Sequence, residues 1–172
     1  MRKPLFYGAA IAVAFLLQNN LFAASPLIKT TPNLLLVLTF VTAFIAGSKD
    51  GLLVGFFSGL LVDAFSGGSI GFYAMIYMVI GYANGFAGKY FYRDFITAPL
   101  LLSVLSDLAF GIMVYTFGFL LKGRLAFLDY FVHIIFPEVI YTALITFIVY
   151  KPLLKFEERA METSKRSAKR FV

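Results

Sequence analysis

Apolar residues fill the chain in long blocks, and short polar breaks separate the blocks. The breaks are "GSKDG", "FSGGSIG", "YRDF" and "KGRLAFLD". A helix needs about 20 apolar residues, with a range of about 17–25, to cross the hydrocarbon core of a bilayer. The blocks therefore predict six membrane-spanning helices: Leu5–Ala24, Thr31–Gly47, Gly51–Phe65, Ile70–Phe91, Ile96–Leu121 and Phe131–Leu153.

Two of these spans have an alternative interpretation. The second and third blocks are short, so one long helix could run through both, but the polar "GSKDG" between them favours a turn. Pro32 suits the first turn of the second helix. The first block has the basic start, apolar run and small-residue end of a cleavable signal peptide. The many apolar blocks that follow favour a first transmembrane helix instead.

Composition supports a membrane protein and excludes several kinds of site. Of the 172 residues, 60% are hydrophobic and 14% are charged, and the mean hydropathy is +0.86. Soluble domains have about 45–50% apolar and about 25% charged residues. The absence of cysteine excludes a thiolate nucleophile, and the single histidine, His133, excludes a multi-histidine metal site. No motif of a hydrolase, a phosphate-binding loop or a zinc protease is present, so we expect no enzyme, cofactor or metal.

The positive charges predict the orientation. With six spans and a cytoplasmic N-terminus, only Lys29, Lys122 and Arg124 lie on the outer side, which leaves twelve of the 15 lysines and arginines inside. This strong positive-inside bias predicts that both termini are cytoplasmic. We expect one six-span membrane domain over residues 1–155 and a basic cytoplasmic tail over residues 156–172. The net charge of +6 follows from this arrangement and indicates no nucleic-acid partner.

Three carboxylates lie within the predicted spans, where a charge is costly. Asp63, Asp107 and Glu138 are each 11–13 residues from the inner end of their helix, which places all three about 16–20 Å from the cytoplasmic side. No lysine or arginine lies in a span to pair with them. They predict a structural polar layer or a contact with a partner, and Pro137 predicts a kink beside Glu138. A proton or ion pathway is the alternative. The candidate internal partners are Gln18, Asn19, Asn20, His133, Ser103, Ser106, Tyr141 and Thr142.

Glycines at helical spacing predict close helix packing. Small residues four positions apart let two helices approach each other in lipid. The first row lies on the third span and leads to Asp63, and a second row lies on the fourth span. The row residues are Gly51, Gly55 and Gly59, then Gly81 and Gly85. Packing within the chain and packing against a second chain both fit this spacing.

Four stretches together resemble the MreD family of rod shape-determining membrane proteins. They are "TPNLLLVL", "DGLLVGFFSGLLVDAFSGGSIG", "GYANG" and "FPEVIYTAL". The glycine-to-aspartate block and Pro137–Glu138 are the most characteristic of them. The length and the six-span layout also resemble the family. One departure is Asn33, where the family often has an acidic residue.

The resemblance implies a non-enzymatic scaffold of the bacterial cytoplasmic membrane. Such a protein binds MreC, a single-span protein, and works with the MreB filament, the RodA glycosyltransferase and a penicillin-binding transpeptidase in lateral peptidoglycan synthesis. It maintains rod cell shape as part of the elongasome. We expect the glycine rows and the acidic layer to contact an MreC-like partner, and the glycine rows also predict a homodimer.

A transporter subunit is the alternative function. The family's fold is related to the vitamin-binding S components of energy-coupling-factor transporters, which are also six-helix bundles. Ala10 and Ala14 have the small-residue spacing that such subunits use for docking. The predicted outer loops are short and lack the cluster of aromatic and polar residues expected of a vitamin pocket. The sequence therefore favours the scaffold.

Overall fold

All regular structure among the described residues of the computed structural model is helical. The structure describes residues 2–22, 31–67, 69–91, 97–118, 120 and 127–168. This confirms the all-helical prediction for these residues. The elements are α1 (Arg2–Leu17), a π-helical turn (Gln18–Phe22), α2 (Leu34–Ala46), α3 (Ser48–Ser66), α4 (Phe72–Ala87), α5 (Thr97–Gly118), α6 (Phe127–Tyr130), a second π-helical turn (Phe131–Ile135) and α7 (Phe136–Ala168).

Helix α2 is the centre of the bundle. Eleven of its residues, Leu35 to Ile45, are buried, and it packs against α1, α3, α4, α5 and α7. A helix that is apolar on every side is buried in this way. With 13 residues it is about 20 Å long, which is shorter than a bilayer core of about 30 Å.

The second predicted span was too long at its start. Pro32 was predicted to lie in the first helical turn, but it precedes the helix, and Thr31–Asn33 are not helical. Asn33 is the N-cap residue, and its side chain accepts a hydrogen bond from the Leu36 N–H. An asparagine that caps in this way fixes the helix start at the next residue.

A break between the second and third spans is confirmed, but it is one residue long: the rest of the predicted "GSKDG" break belongs to α3, so the third helix begins three residues before the predicted Gly51. Gly47 separates α2 from α3 with a φ of 106°, a conformation that residues with a side chain rarely adopt. Its N–H closes the end of α2 on the Ala43 carbonyl at 2.9 Å. The α2–α3 pair is therefore a tight helical hairpin.

Helices α3 and α4 form the most extensive described helix pair, and glycine makes their contact close. A Cβ atom added to Gly51 would lie 2.8 Å from the Gly81 carbonyl oxygen. A Cβ on Gly55 would lie 2.8 Å from the Tyr77 carbonyl carbon, and one on Gly59 would lie 2.5 Å from the Tyr73 carbonyl oxygen. The backbones of the two helices are thus in direct contact, as small residues permit in lipid.

Helices α5 and α7 are longer than α2 and more exposed. Among the described residues, Thr97–Gly118 and Phe127–Phe156 are long and apolar enough to cross a membrane, whereas Leu34–Ala46 and Phe72–Ala87 are apolar but shorter. Large apolar side chains on several helices face outward, including Leu5, Phe65, Leu128 and Ile148 at 69–78% exposure. An apolar outer surface of this kind fits a lipid environment better than water.

Candidate functional site

Asp63 caps the start of α4. It is only 3% exposed, and its carboxylate accepts hydrogen bonds from the backbone N–H groups of Gly71 (2.9 Å), Tyr73 (2.9 Å) and Ala74 (3.0 Å). These groups have no partner within the helix, and the helix dipole favours a negative charge at this end. The carboxylate therefore faces its own bundle.

Two glycines in the α3–α4 turn bring α4 over this carboxylate. Gly67 ends α3 with a φ of 66°, and Gly71 precedes α4 with a φ of 99°. Gly71 has no side chain with which to cap the helix, so Asp63 supplies the acceptor from the preceding helix. The "FSGGSIG" break and the acid before it act together as one capping device.

Asn33 joins three helices at the start of α2. Its Oδ1 accepts hydrogen bonds from the Tyr77 hydroxyl at 2.6 Å and the Leu36 N–H at 3.1 Å. Its own N–H donates to Thr142 Oγ1 at 3.3 Å. From the π-helical turn that follows α1, Gln18 Oε1 accepts from the Leu35 N–H at 3.3 Å. The N-terminus of α2 is thus satisfied by side chains of its neighbours.

Glu138 on α7 lies next to Asn33, and Asp107 on α5 lies next to Thr142 and Glu138. Asp107 is 1% exposed, and neither of its carboxylate oxygens accepts a hydrogen bond from a described residue. The Thr142 hydroxyl lies close to Asp107 without a hydrogen bond of normal geometry. Glu138 is half-buried and interacts with the Asn33 side chain and electrostatically with Asp107. We call Asn33, Tyr77, Asp107, Glu138 and Thr142 the central polar cluster.

The three predicted acids have different surroundings. Tyr73, on α4, lies within electrostatic range of both Asp63 and Glu138. Asp63 has three backbone donors, whereas Asp107 has none among the described residues. Asp63 therefore has a structural role in its own bundle, and the unmet hydrogen-bonding capacity lies at Asp107.

A second polar contact joins α4 to α5. Asn84 Nδ2 donates to Ser106 Oγ at 2.8 Å and to the Ile80 carbonyl at 2.9 Å, and Asn84 is 5% exposed. Between the same helices lies an apolar groove of about 220 Å³ whose lining includes Ala83, Ser106 and Ala109. Another apolar groove, of about 380 Å³, lies between α1 and α3.

Some of the candidate partners of the acids are bonded elsewhere. Asn19 and Asn20 donate to carbonyls of their own helix, and Ser103 donates to Leu100. His133 is exposed, and its Nδ1 lies 3.0 Å from Asp129 Oδ1. Of the polar side chains predicted as partners, Thr142 on α7 lies close to Asp107 on α5.

Tyr77 is a member of the cluster that the sequence analysis missed. It lies four residues before Gly81 and eight before Gly85, so it is on the face of α4 that packs inward. It is 1% exposed. The four-residue spacing of Gly81 and Gly85, continued toward the start of α4, reaches Tyr77 and would have identified it as a buried residue. Asn33 was noticed only as a departure from the family pattern.

We predict that Tyr77→Phe destabilises the bundle moderately. The change removes the hydroxyl that donates to Asn33 Oδ1 but leaves the Leu36 N–H on the same oxygen. We expect a loss of about 1 kcal/mol, which is typical of one buried hydrogen bond, measured as a lower unfolding midpoint in detergent. Tyr82→Phe on the exposed face of α4 is the matched control. Equal midpoints for the two variants would contradict the structural role of the hydroxyl.

The described residues include no group of three or more histidine, cysteine, aspartate or glutamate side chains that could hold a metal ion. The chain was compared with known proteins. No curated protein and no solved structure matches it. A family model described as rod shape-determining protein MreD matches residues 4–159. This match covers most of the 172 residues and confirms the resemblance found in the sequence. The chain belongs to the MreD family of rod shape-determining membrane proteins.

Proposed function

We propose that the chain is a non-enzymatic scaffold subunit of the bacterial elongation machinery. It binds an MreC-like single-span protein and helps to couple the MreB filament to lateral peptidoglycan synthesis by RodA and a penicillin-binding transpeptidase. The observation that carries this proposal is the family match over residues 4–159, since a role in rod shape is the property of that family.

The proposed setting is the cytoplasmic membrane, which the chain crosses six times with both termini inside. The apolar outer surface of the helices and the distribution of lysine and arginine support this topology. The polar groups of the central cluster are then enclosed by the other helices, as buried polar groups in lipid require.

The interior of the bundle supports the scaffold over a vitamin-binding subunit. Helix α2 fills the centre with side chains such as Leu35, Phe40 and Phe44, each 0–1% exposed. The two grooves described above are apolar and lie between helices. Ala10 and Ala14 pack against the core, so their small-residue spacing faces the chain's own bundle.

The glycine rows and Asp63 are engaged within the chain, which changes where a partner would bind. Gly51, Gly55 and Gly59 are buried against α4. A partner helix that used this row would have to displace α4. We propose that the span of the MreC-like partner meets the α4–α5 groove instead, because Ala83 and Ala109 permit close approach there. For the same reason, a homodimer through Gly51, Gly55 and Gly59 has no free surface, because α4 covers these glycines.

We predict that Ala83→Phe lowers recovery of the MreC-like partner. The exposed Ala83 lines the groove, and a phenyl ring there would fill the space that a partner helix needs. The measurement is affinity purification from membranes with mass spectrometry of the recovered proteins, and we expect at least a tenfold lower partner-to-bait ratio. Ala12→Phe on the exposed face of α1 is the control.

The same purification tests the function as a whole. Recovery of elongation-machinery proteins with the wild-type chain supports the scaffold. A stoichiometric small molecule detected by native mass spectrometry, with no such proteins, would favour the transporter subunit. The wild type and both variants are each compared with an untagged membrane preparation, which shows the proteins that are recovered without the chain.

A further inference from the structure

The central polar cluster has two carboxyl groups that no described basic side chain pairs with. Asp107 and Glu138 lie on facing helices and interact with each other. Every lysine and arginine whose side chain is described is exposed: Lys49, Lys89, Lys151, Lys155 and Arg159. Buried carboxyl groups without a basic partner are either protonated or bind a cation. Among the described residues, therefore, no basic side chain neutralises the pair, which leaves a bound proton or another cation to do so.

Of the two acids, Asp107 is the one whose hydrogen-bonding capacity is unmet by the described residues. Both of its oxygens are buried without a hydrogen bond from any described residue, although most buried polar atoms have a partner. Asn33 Oδ1 already accepts two hydrogen bonds, so it offers little to a ligand, while the Asn33 side chain also faces Glu138. Thr142 Oγ1 lies beside Asp107. The available oxygens are thus the two carboxyl groups and one hydroxyl.

The backbone around the pair is irregular in a way that is common at functional sites. A π-helical turn, Phe131–Ile135, ends two residues before Pro137 and three before Glu138, and π-helical turns often occur at functional sites. Non-helical Thr31–Asn33 is buried or half-buried at the start of α2. Such breaks at membrane depth occur where backbone is enclosed by protein or lines a cavity.

We propose that Asp107 and Glu138, with the Thr142 hydroxyl, form a binding site for one small monovalent cation, a proton or Na⁺. Oxygen ligands select hard cations, and the few oxygens present fall short of the six to eight that Ca²⁺ takes. The ligand joins α5 to α7 and neutralises part of the buried charge. This inference goes beyond the scaffold function and stands whether or not the MreC-like partner binds as proposed.

The site can be tested with dicyclohexylcarbodiimide, an apolar reagent that modifies protonated carboxyl groups within membranes. The full chain in lipid nanodiscs would be treated at several pH values, in NaCl or in choline chloride, and the modified residue located by peptide mass spectrometry. We expect modification at Asp107 or Glu138 that increases at least threefold as the pH is lowered. Protection by NaCl but not by choline chloride identifies Na⁺ as a ligand, and equal modification in both salts identifies the proton alone.

Variants make the test independent of folding defects. Asp107→Asn and Glu138→Gln remove one carboxyl each, and we expect either change to lower modification of the remaining partner at least threefold and to abolish any protection by NaCl. Asp129→Asn, at an exposed acid, is the control, and we expect it to leave the modification and any protection by NaCl unchanged. If one cluster variant fails to fold, the wild type and the other variant still test whether the pair binds a cation. Absence of modification at both residues at every pH, together with a melting temperature that NaCl does not change, would overturn the proposal.

Discussion

Replacing Gly81 with valine is expected to prevent the bundle from folding, or to lower its free energy of unfolding by about 3 kcal/mol or more. A Cβ atom at Gly81 would lie 2.7 Å from the carbonyl carbon of Gly51 and 3.1 Å from Thr39 Cγ2. Overpacking of a core costs about 1–3 kcal/mol where side chains can rotate away. Here the obstacle is the backbone of α3, so the two helices would have to separate.

The measurement is the unfolding midpoint in detergent together with the fraction of monodisperse protein. Gly8→Val is the matched control, because a Cβ atom at Gly8 has no neighbour within 4 Å. The control should behave like the wild type. A Gly81→Val protein with the wild-type midpoint would show that α3 and α4 are not in backbone contact.

Replacing Asp63 with alanine is expected to have an effect of similar size. Three buried or partly buried N–H groups at the start of α4 would lose their acceptor. A hydrogen bond to a charged group contributes about 1.5–3 kcal/mol, and the helix dipole would lose its counter-charge. We expect a loss of about 3 kcal/mol or more. Asp63→Asn should lose less, because its amide keeps one oxygen as an acceptor.

Hydrogen exchange distinguishes this capping role from a general loss of stability. In Asp63→Ala the amides of Gly71, Tyr73 and Ala74 should exchange faster, by at least tenfold, than amides in the middle of α5. Asp129→Ala is the control, since the Asp129 side chain is 78% exposed. A uniform increase across all helices would argue against a local cap.

Helix geometry alone explains why the close packing of the glycine rows was predictable. Residues four apart lie on one face, so the glycine rows of α3 and α4 were expected to permit close packing. The identity of the facing helix is not in the spacing, because lipid and a second chain are alternatives to α4. Which surface meets the row depends on the turn at Gly67 and Gly71, whose positive φ values set the direction of α4.

The burial of α2 was not predictable from its composition. In water an apolar helix must be covered, but in lipid an apolar side chain is equally stable against lipid and against protein. The run from Leu34 to Ala46 therefore has the same hydropathy whether it lies inside or outside the bundle. Only the polar residues at its start, of which Asn33 is the most connected, mark it as the central helix.

The role of Asp63 was open for a related reason. Its depth along α3 follows from the sequence, but its partners are backbone groups eight to eleven residues later. A backbone N–H has no signature in the sequence, so an acid that caps the next helix has the same pattern as one that awaits a partner. By contrast, Asp107 and Glu138 meet through helices far apart in the chain, which no local spacing encodes.

The burial of α2 also bears on how the protein is made. Because α2 is apolar on all sides, it can enter the bilayer by itself as it leaves the insertion machinery, before α3, α4, α5 and α7 exist. Each later helix then replaces lipid around α2 with protein. On this route α2, which is synthesised second after α1, becomes the most enclosed helix of the bundle, and α7 supplies the last cap of α2 through Thr142. Assembly would finish only when the final helix is released.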